Sequence, residues 1–126
     1  EAMTTLKIGI ASAAEYKART MAIARGELKP SPAAPKVWFT SIESMAKVLS
    51  DRNRELLALI ADEKPDSIQA LSERTGRAKS NLSRTLKTME RYGLVRMEPR
   101  ANRKLAPRVT FDQIRVDLSL QAEVGA

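Results

Sequence analysis

Apolar and polar positions change period twice along this chain. Leu6, Ile8 and Ile10 alternate with Lys7, Gly9 and Ala11, and a period of two predicts a half-buried strand. At Ser12 the pattern becomes helical. "SAAE" is a capping box, in which the Ser12 hydroxyl accepts from the third helical N–H and Glu15 reaches back. It opens a helix to about Arg25, ended by Gly26, whose Ala14, Ala18 and Ala22 leave room for another helix. A second box at Thr40–Glu43 precedes Ile42, Met45, Ala46 and Leu49, which share one helix face. Ser50 can cap the next helix, with Asn53, Leu56, Leu57 and Ile60 on one side, and Pro65 stops it. Asp66 and Gln69 form a third box ahead of a short helix with Ile68 and Leu71 inward. Gly76 breaks the chain, and Leu82, Leu86 and Met89 then make the inner stripe of one more helix, ended by Gly93.

After Gly93 the period returns to two. Two strands are expected around a basic tip at Pro99 to Lys104, with Leu105, Val109 and Phe111 alternating on the second. Pro107 there needs an edge or bulge position. Ile114, Val116, Leu118 and Leu120 alternate as a further strand. "KPSPAAPK" holds three of the six prolines and reads as an extended linker. The fold class is therefore mainly α with a small β component. The expected organisation is a strand–helix arm over 1–28, a linker over 29–36, a helical domain with its hairpin over 37–111, and a strand and tail over 112–126.

Charge adds a partner to this outline. A formal net charge of +7 over 126 residues favours an anionic partner, nucleic acid first. The chain has no cysteine and no histidine, so it lacks thiolate ligands, the usual zinc ligand and the usual neutral-pH general base. Its acids are scattered. The expectation is a protein that is not an enzyme and carries no cofactor or metal. No apolar run reaches membrane-spanning length, and no charged-then-apolar signal peptide is present, so a cytoplasmic protein with no membrane partner is expected.

The order helix, helix, short helix, tight turn, helix, hairpin resembles the winged helix-turn-helix. The likeness is most specific at "ALSERTGRAKSNLSRTLKTMERYGLV", which is similar to the reading units of multiple-antibiotic-resistance-type and arsenic-type bacterial regulators. Ser72 matches the small residue under the turn, Gly76 the turn, Leu82 the anchor of the second helix, and Ser83–Arg84 the pair that follows it. Two positions depart: Arg77 stands where an apolar residue is common, and Ala78 where Ser or Asp caps the helix, a loss of about 1 kcal/mol. The whole chain also resembles a small group of bacterial and archaeal DNA-binding proteins that place a strand and helix before the winged helix and close on a strand like "IRVDL". That second resemblance raises an antitoxin role as the alternative, with a protein toxin as partner.

With Leu82, Leu86 and Met89 inward, the opposite face carries Lys79, Ser80, Ser83, Arg84 and Lys87, with Asn81 to one side. A helix fits the major groove of duplex DNA, where Asn can pair with adenine and Arg with guanine. Arg77 and Lys87 suit phosphates. Arg100, Asn102, Arg103 and Lys104 would lie over the adjoining backbone or minor groove. These residues make double-stranded DNA the expected partner and a dimeric repressor the expected function. A monomer reads few base pairs, whereas a homodimer reads two half-sites. The strands at Leu6–Ile10 and Ile114–Leu120, with the helix between, are expected to pair with each other or across a partner and to form the dimer or toxin-docking surface.

Overall fold

The computed structural model of the chain describes residues 4–120. In chain order they form β1 (Thr5–Ile10), α1 (Ala13–Ala24), β2 (Val37–Phe39), α2 (Ile42–Val48), α3 (Asp51–Glu63), α4 (Ile68–Thr75), α5 (Lys79–Tyr92), β3 (Arg96–Pro99), β4 (Leu105–Arg108) and β5 (Gln113–Asp117). The content is mainly helical with a small β component, as expected. The chain divides into two compact units, one of residue 4 with Val48–Asp112 and one of Thr5–Lys47 with residues 113–120. Of the strand and tail expected over 112–126, residues 121–126 lie outside the described residues.

The second unit is built on a parallel sheet of order β2-β1-β5. Ile8 stands beside both Val37 and Val116, and Leu6 beside Ile114, so the alternation along each strand becomes apolar rows across the sheet. Ile8, Val37 and Phe39 are buried. The two strands expected to seek a partner do pair with each other, β1 with β5. Strand β5 is shorter than its alternation implied: it ends at Asp117, leaving Leu118 and Leu120 exposed beyond it.

Helix α1 begins at the expected capping box, with the Glu15 N–H donating to Ser12 Oγ at 3.1 Å and the Ser12 N–H to Glu15 Oε1 at 2.9 Å. That donation holds the Glu15 carboxyl below its usual range. On the alanine face Ala14 and Ala18 are exposed and Ala22 is half-buried. Contact comes instead from Tyr16 and Arg19, which meet the indole of Trp38 at centroid distances of 5.8 Å and 4.9 Å. The ring also fills the space above Gly9, where a Cβ would stand 2.5 Å from Trp38 Cζ3.

The proline-rich segment is not a spacer between bodies. Both of its ends belong to one unit, because β2 pairs with β1 and the Lys36 N–H donates to the Lys7 carbonyl at 3.1 Å. It turns at Ser31, whose carbonyl accepts from the Ala34 N–H, and together with α1 it forms the crossover a parallel pair requires. The boundary expected before Val37 consequently falls at Val48. Two caps also move by one residue. Ser41, not Thr40, accepts from the Ser44 N–H at the start of α2, and Ser67, not Asp66, accepts from the Ala70 N–H at the start of α4. The inward stripe expected on α2 fails: Ile42 and Ala46 are exposed, and only Leu49, beyond the helix, is buried.

The first unit holds the larger core. Leu56, Leu57 and Ile60 of α3, Leu71 of α4, Leu82, Leu86 and Met89 of α5, and Leu94, Val95 and Ala106 are all buried. Helix α4 packs on α5, and α3 and α4 both meet β4. Gly76 and Gly93 end their helices at φ +76° and +87°, a region that costs a side chain energy and glycine none. Strands β3 and β4 form an antiparallel hairpin with Met97 opposite Pro107. The alternation expected on its second strand does not hold. Leu105 is exposed, Ala106 and Pro107 are buried in succession, and β4 ends before Val109 and Phe111.

Candidate nucleic-acid interface

The α4–α5 turn is tied from within. The Ser72 hydroxyl donates across it to the Arg77 carbonyl at 2.7 Å, and the Arg77 N–H donates to Thr75 Oγ1 at 3.2 Å. These bonds fix where α5 starts, which matters because Ala78 offers no side-chain cap. Three buried side chains at Leu82, Leu86 and Met89 then set the helix's rotation. With that stripe inward, Lys79, Ser80, Asn81, Ser83, Arg84 and Lys87 are all exposed.

The exposed cations on this helix are free of carboxylates. Among the described residues no ion pair engages Lys79, Arg84 or Lys87, while Arg54 pairs with Asp51 and Arg74 holds Glu63 by two hydrogen bonds of 2.8–2.9 Å. The outward face thus presents exposed positive charge interleaved with hydroxyls and one amide, the chemistry that phosphate oxygens and base edges accept.

Arg77 departs from the expectation of an outward phosphate contact. It is half-buried, its Nε donating to Asn81 Oδ1 at 3.0 Å and its Nη2 reaching Thr85 Oγ1 at 3.4 Å. Its Nη1 is buried with no partner. Burial first, and then the nearby charge of Arg52, pushes its pKa down. The reason is positional, since Arg77 occupies a site that packs inward. Its consequence is that Asn81 is held by its oxygen, leaving both N–H donors directed away from that bond.

The other expected residues lie at the hairpin tip. Arg100, Asn102, Arg103 and Lys104 are exposed, and the Arg100 N–H closes the turn on the Lys104 carbonyl at 2.6 Å. Asn102 at φ +62° and Arg103 at φ +61° are both left-handed. Asn adopts that conformation readily, so Asn102 shapes the turn as well as facing outward. Among the described residues Arg103 and Lys104 have no ion pair, whereas Arg100 reaches Glu98 at 3.5 Å.

A cluster below the tip escaped the sequence reading. Glu98 gathers Arg96, Arg100 and Arg108, and Arg108 Nη1 also donates to the Pro65 carbonyl at 2.8 Å, tying β4 to the α3–α4 loop. An open cavity of about 590 Å³ lies alongside, lined in part by Lys64 and Phe111. The one available signal was alternation: Arg96, Glu98 and Arg100 occupy every second position, and the register sets Arg108 opposite Arg96. The hydrogen bond from Arg96, aided by the charges of all three arginines, holds the Glu98 carboxyl below its usual range. A depressed carboxylate contributes stability above its unfolded pKa and loses it as pH falls through the folded value. Amide protection factors across residues 96–108, each taken relative to an unstructured peptide at the same pH, should therefore stay high at neutral pH and fall only in acid. Glu98→Gln should bring that fall to neutral pH, and unchanged protection factors in the variant would remove Glu98 from this account.

Among the described residues no helix is long and apolar enough to cross a membrane. No curated protein and no solved structure matches the chain. A model of the HVO_A0114 family matches residues 48–116, which takes in all of Val48–Asp112 and runs on into β5. That is more than half of the chain, and the protein belongs to the HVO_A0114 family.

Proposed function

We propose that the protein is a sequence-specific, double-stranded DNA-binding transcriptional regulator of the winged helix-turn-helix kind, with α5 as the reading helix and the β3–β4 hairpin as the wing. The observation that carries the reading is the outward face of α5, where Lys79, Arg84 and Lys87 stand without carboxylate partners beside Ser80, Asn81 and Ser83. A solvated helix gains nothing from unpaired like charges, and Arg84 and Lys87, three positions apart, are neighbours on its surface. A polyanion converts that cost into binding. The pinned turn and buried stripe support a reading role, because base discrimination requires a helix held in one rotation. Asn81, fixed through Arg77, would present donors to base edges, and Arg84 has the fork that suits guanine.

Titration of the full chain against a duplex selected from a random pool tests this. Affinity should fall steeply with salt, with a log–log slope near −0.9 for each phosphate neutralised. Arg84→Ala and Asn81→Ala should each cost about 1–3 kcal/mol on the selected duplex and little on a scrambled one. Arg103→Ala and Lys104→Ala should weaken both duplexes alike. A salt-independent titration, or equal losses on both duplexes from all four variants, defeats the reading.

A further inference from the structure

The stretch "IRVDL", Ile114 to Leu118, has a symmetry that only a second copy would use. Reversed about Val116, it sets Ile opposite Leu, Arg opposite Asp and Val opposite itself. Strand β5 lies at the edge of its sheet, paired with β1 on one side only, and among the described residues no strand occupies the other side. The apolar row across the sheet loses its cover there: Val37 is 2% exposed, Ile8 0% and Val116 42%, and Leu118 beyond the strand is 53% exposed. Strand edges left to themselves are blunted by short length, proline or charge of one sign. The opposite edge of the sheet follows that rule, since β2 has three residues and is preceded by Pro35. Edge strand β5 instead has five residues, no proline, and one cation and one anion two positions apart.

We infer that β5 is the homodimer edge, pairing antiparallel with β5 of a second copy about a two-fold axis at Val116. In this register Arg115 lies opposite the second copy's Asp117 and Asp117 opposite its Arg115, while Ile114 meets its Leu118. Opposite charges and β-branched pairs directly across strands stabilise a sheet, and like charges destabilise it. Moving the axis to Arg115 would set Arg115 against Arg115 and leave Asp117 facing Gln113. Slipping the register by one residue, with the axis between Arg115 and Val116, would turn apolar side chains toward the charged face. The chosen register continues the row Val37–Ile8–Val116 into its symmetry mate and makes one six-stranded sheet from two. Such an interface is isologous, so every contact occurs twice. Asp117 also pairs with Lys7 at 3.7 Å, and Arg115 stands beside Lys7 in the register. Exchanging the two charges within β5 therefore keeps a partner for Lys7.

The inference goes beyond the DNA-binding reading and does not depend on it, since it is tested without DNA. Sedimentation of the full chain across micromolar to millimolar concentrations should show a reversible monomer–dimer equilibrium. Arg115→Asp alone, which opposes two acids, should weaken the dimer at least tenfold. Arg115→Asp with Asp117→Arg should restore it. Because the chain has no cysteine, Val116→Cys supplies a second measurement: Cα atoms facing across an antiparallel pair are about 4.5–5.5 Å apart, within disulfide range. Mild oxidation should link Val116→Cys chains to each other and leave Ser31→Cys chains unlinked. Trp38 emission reports whether each variant keeps its sheet. A wild type that stays monomeric throughout, a single reversal that dimerises as well as the double, or Val116→Cys chains that do not cross-link would each overturn the assignment. A monomer that still binds duplex DNA would overturn this inference alone.

Discussion

Leu82→Ala should destabilise the helical unit by about 2–5 kcal/mol, the range for removing a fully buried leucine without collapse of the cavity. Leu82 is 0% exposed, in the first turns of α5, and shares its stripe with Leu86 and Met89 at 1% and 0%. Little stands ready to fill the gap, because the turn before it is locked by the Ser72 and Thr75 hydrogen bonds and cannot follow the side chain inward. Compared with the ~5–15 kcal/mol that typically holds a domain together, such a loss is a large fraction. Denaturant unfolding followed by far-ultraviolet circular dichroism measures it. A shift under about 1 kcal/mol would mean that α5 is not seated by this stripe. The functional consequence should exceed that of any surface change, since every residue proposed to read DNA shares the rotation that Leu82 sets.

Gly9→Val should have the second largest effect, and two opposed terms decide its sign. Valine favours a strand over glycine by up to about 1 kcal/mol. Against that, its Cβ would stand 2.5 Å from the Trp38 ring, which also contacts Tyr16 and Arg19. Overpacking of this kind costs about 1–3 kcal/mol, so the clash prevails and the indole must leave its place. Trp38 is the only tryptophan, so its emission reports the event directly. A red-shifted spectrum and a lower melting temperature are expected. Unchanged emission would show that the ring does not rest on Gly9.

The parts of this fold that could be read in advance are those whose cause is local. Ser12 with Glu15, and Leu82 with Leu86 and Met89, declare their roles within one or two helical turns. The exposed polar face of α5 follows from the same stripe. Local signals also mislead by one position where two candidates adjoin. Thr40–Ser41 and Asp66–Ser67 each offer two capping groups, and only the backbone chooses. Strand β2 was out of reach because three residues cannot show a period. The inward turn of Arg77 depends on the space left by α3 and α4, which no spacing records. The pairing of β1 with β5 was anticipated because each strand left backbone groups unpaired, but its parallel register was not.

That pairing has a consequence for the birth of the protein. Thr5 and Gln113 are hydrogen-bonded across 108 positions of chain, with all of Val48–Asp112 synthesised between them. At roughly 5–20 residues per second, a ribosome needs on the order of ten seconds to deliver β5 after β1 has emerged. Through that interval the nascent chain can complete the core of α3, α4 and α5 while β1 holds only the three-residue β2 beside it. The central strand of the finished sheet is thus an open edge during synthesis, and the last strand made both closes it and creates a new one.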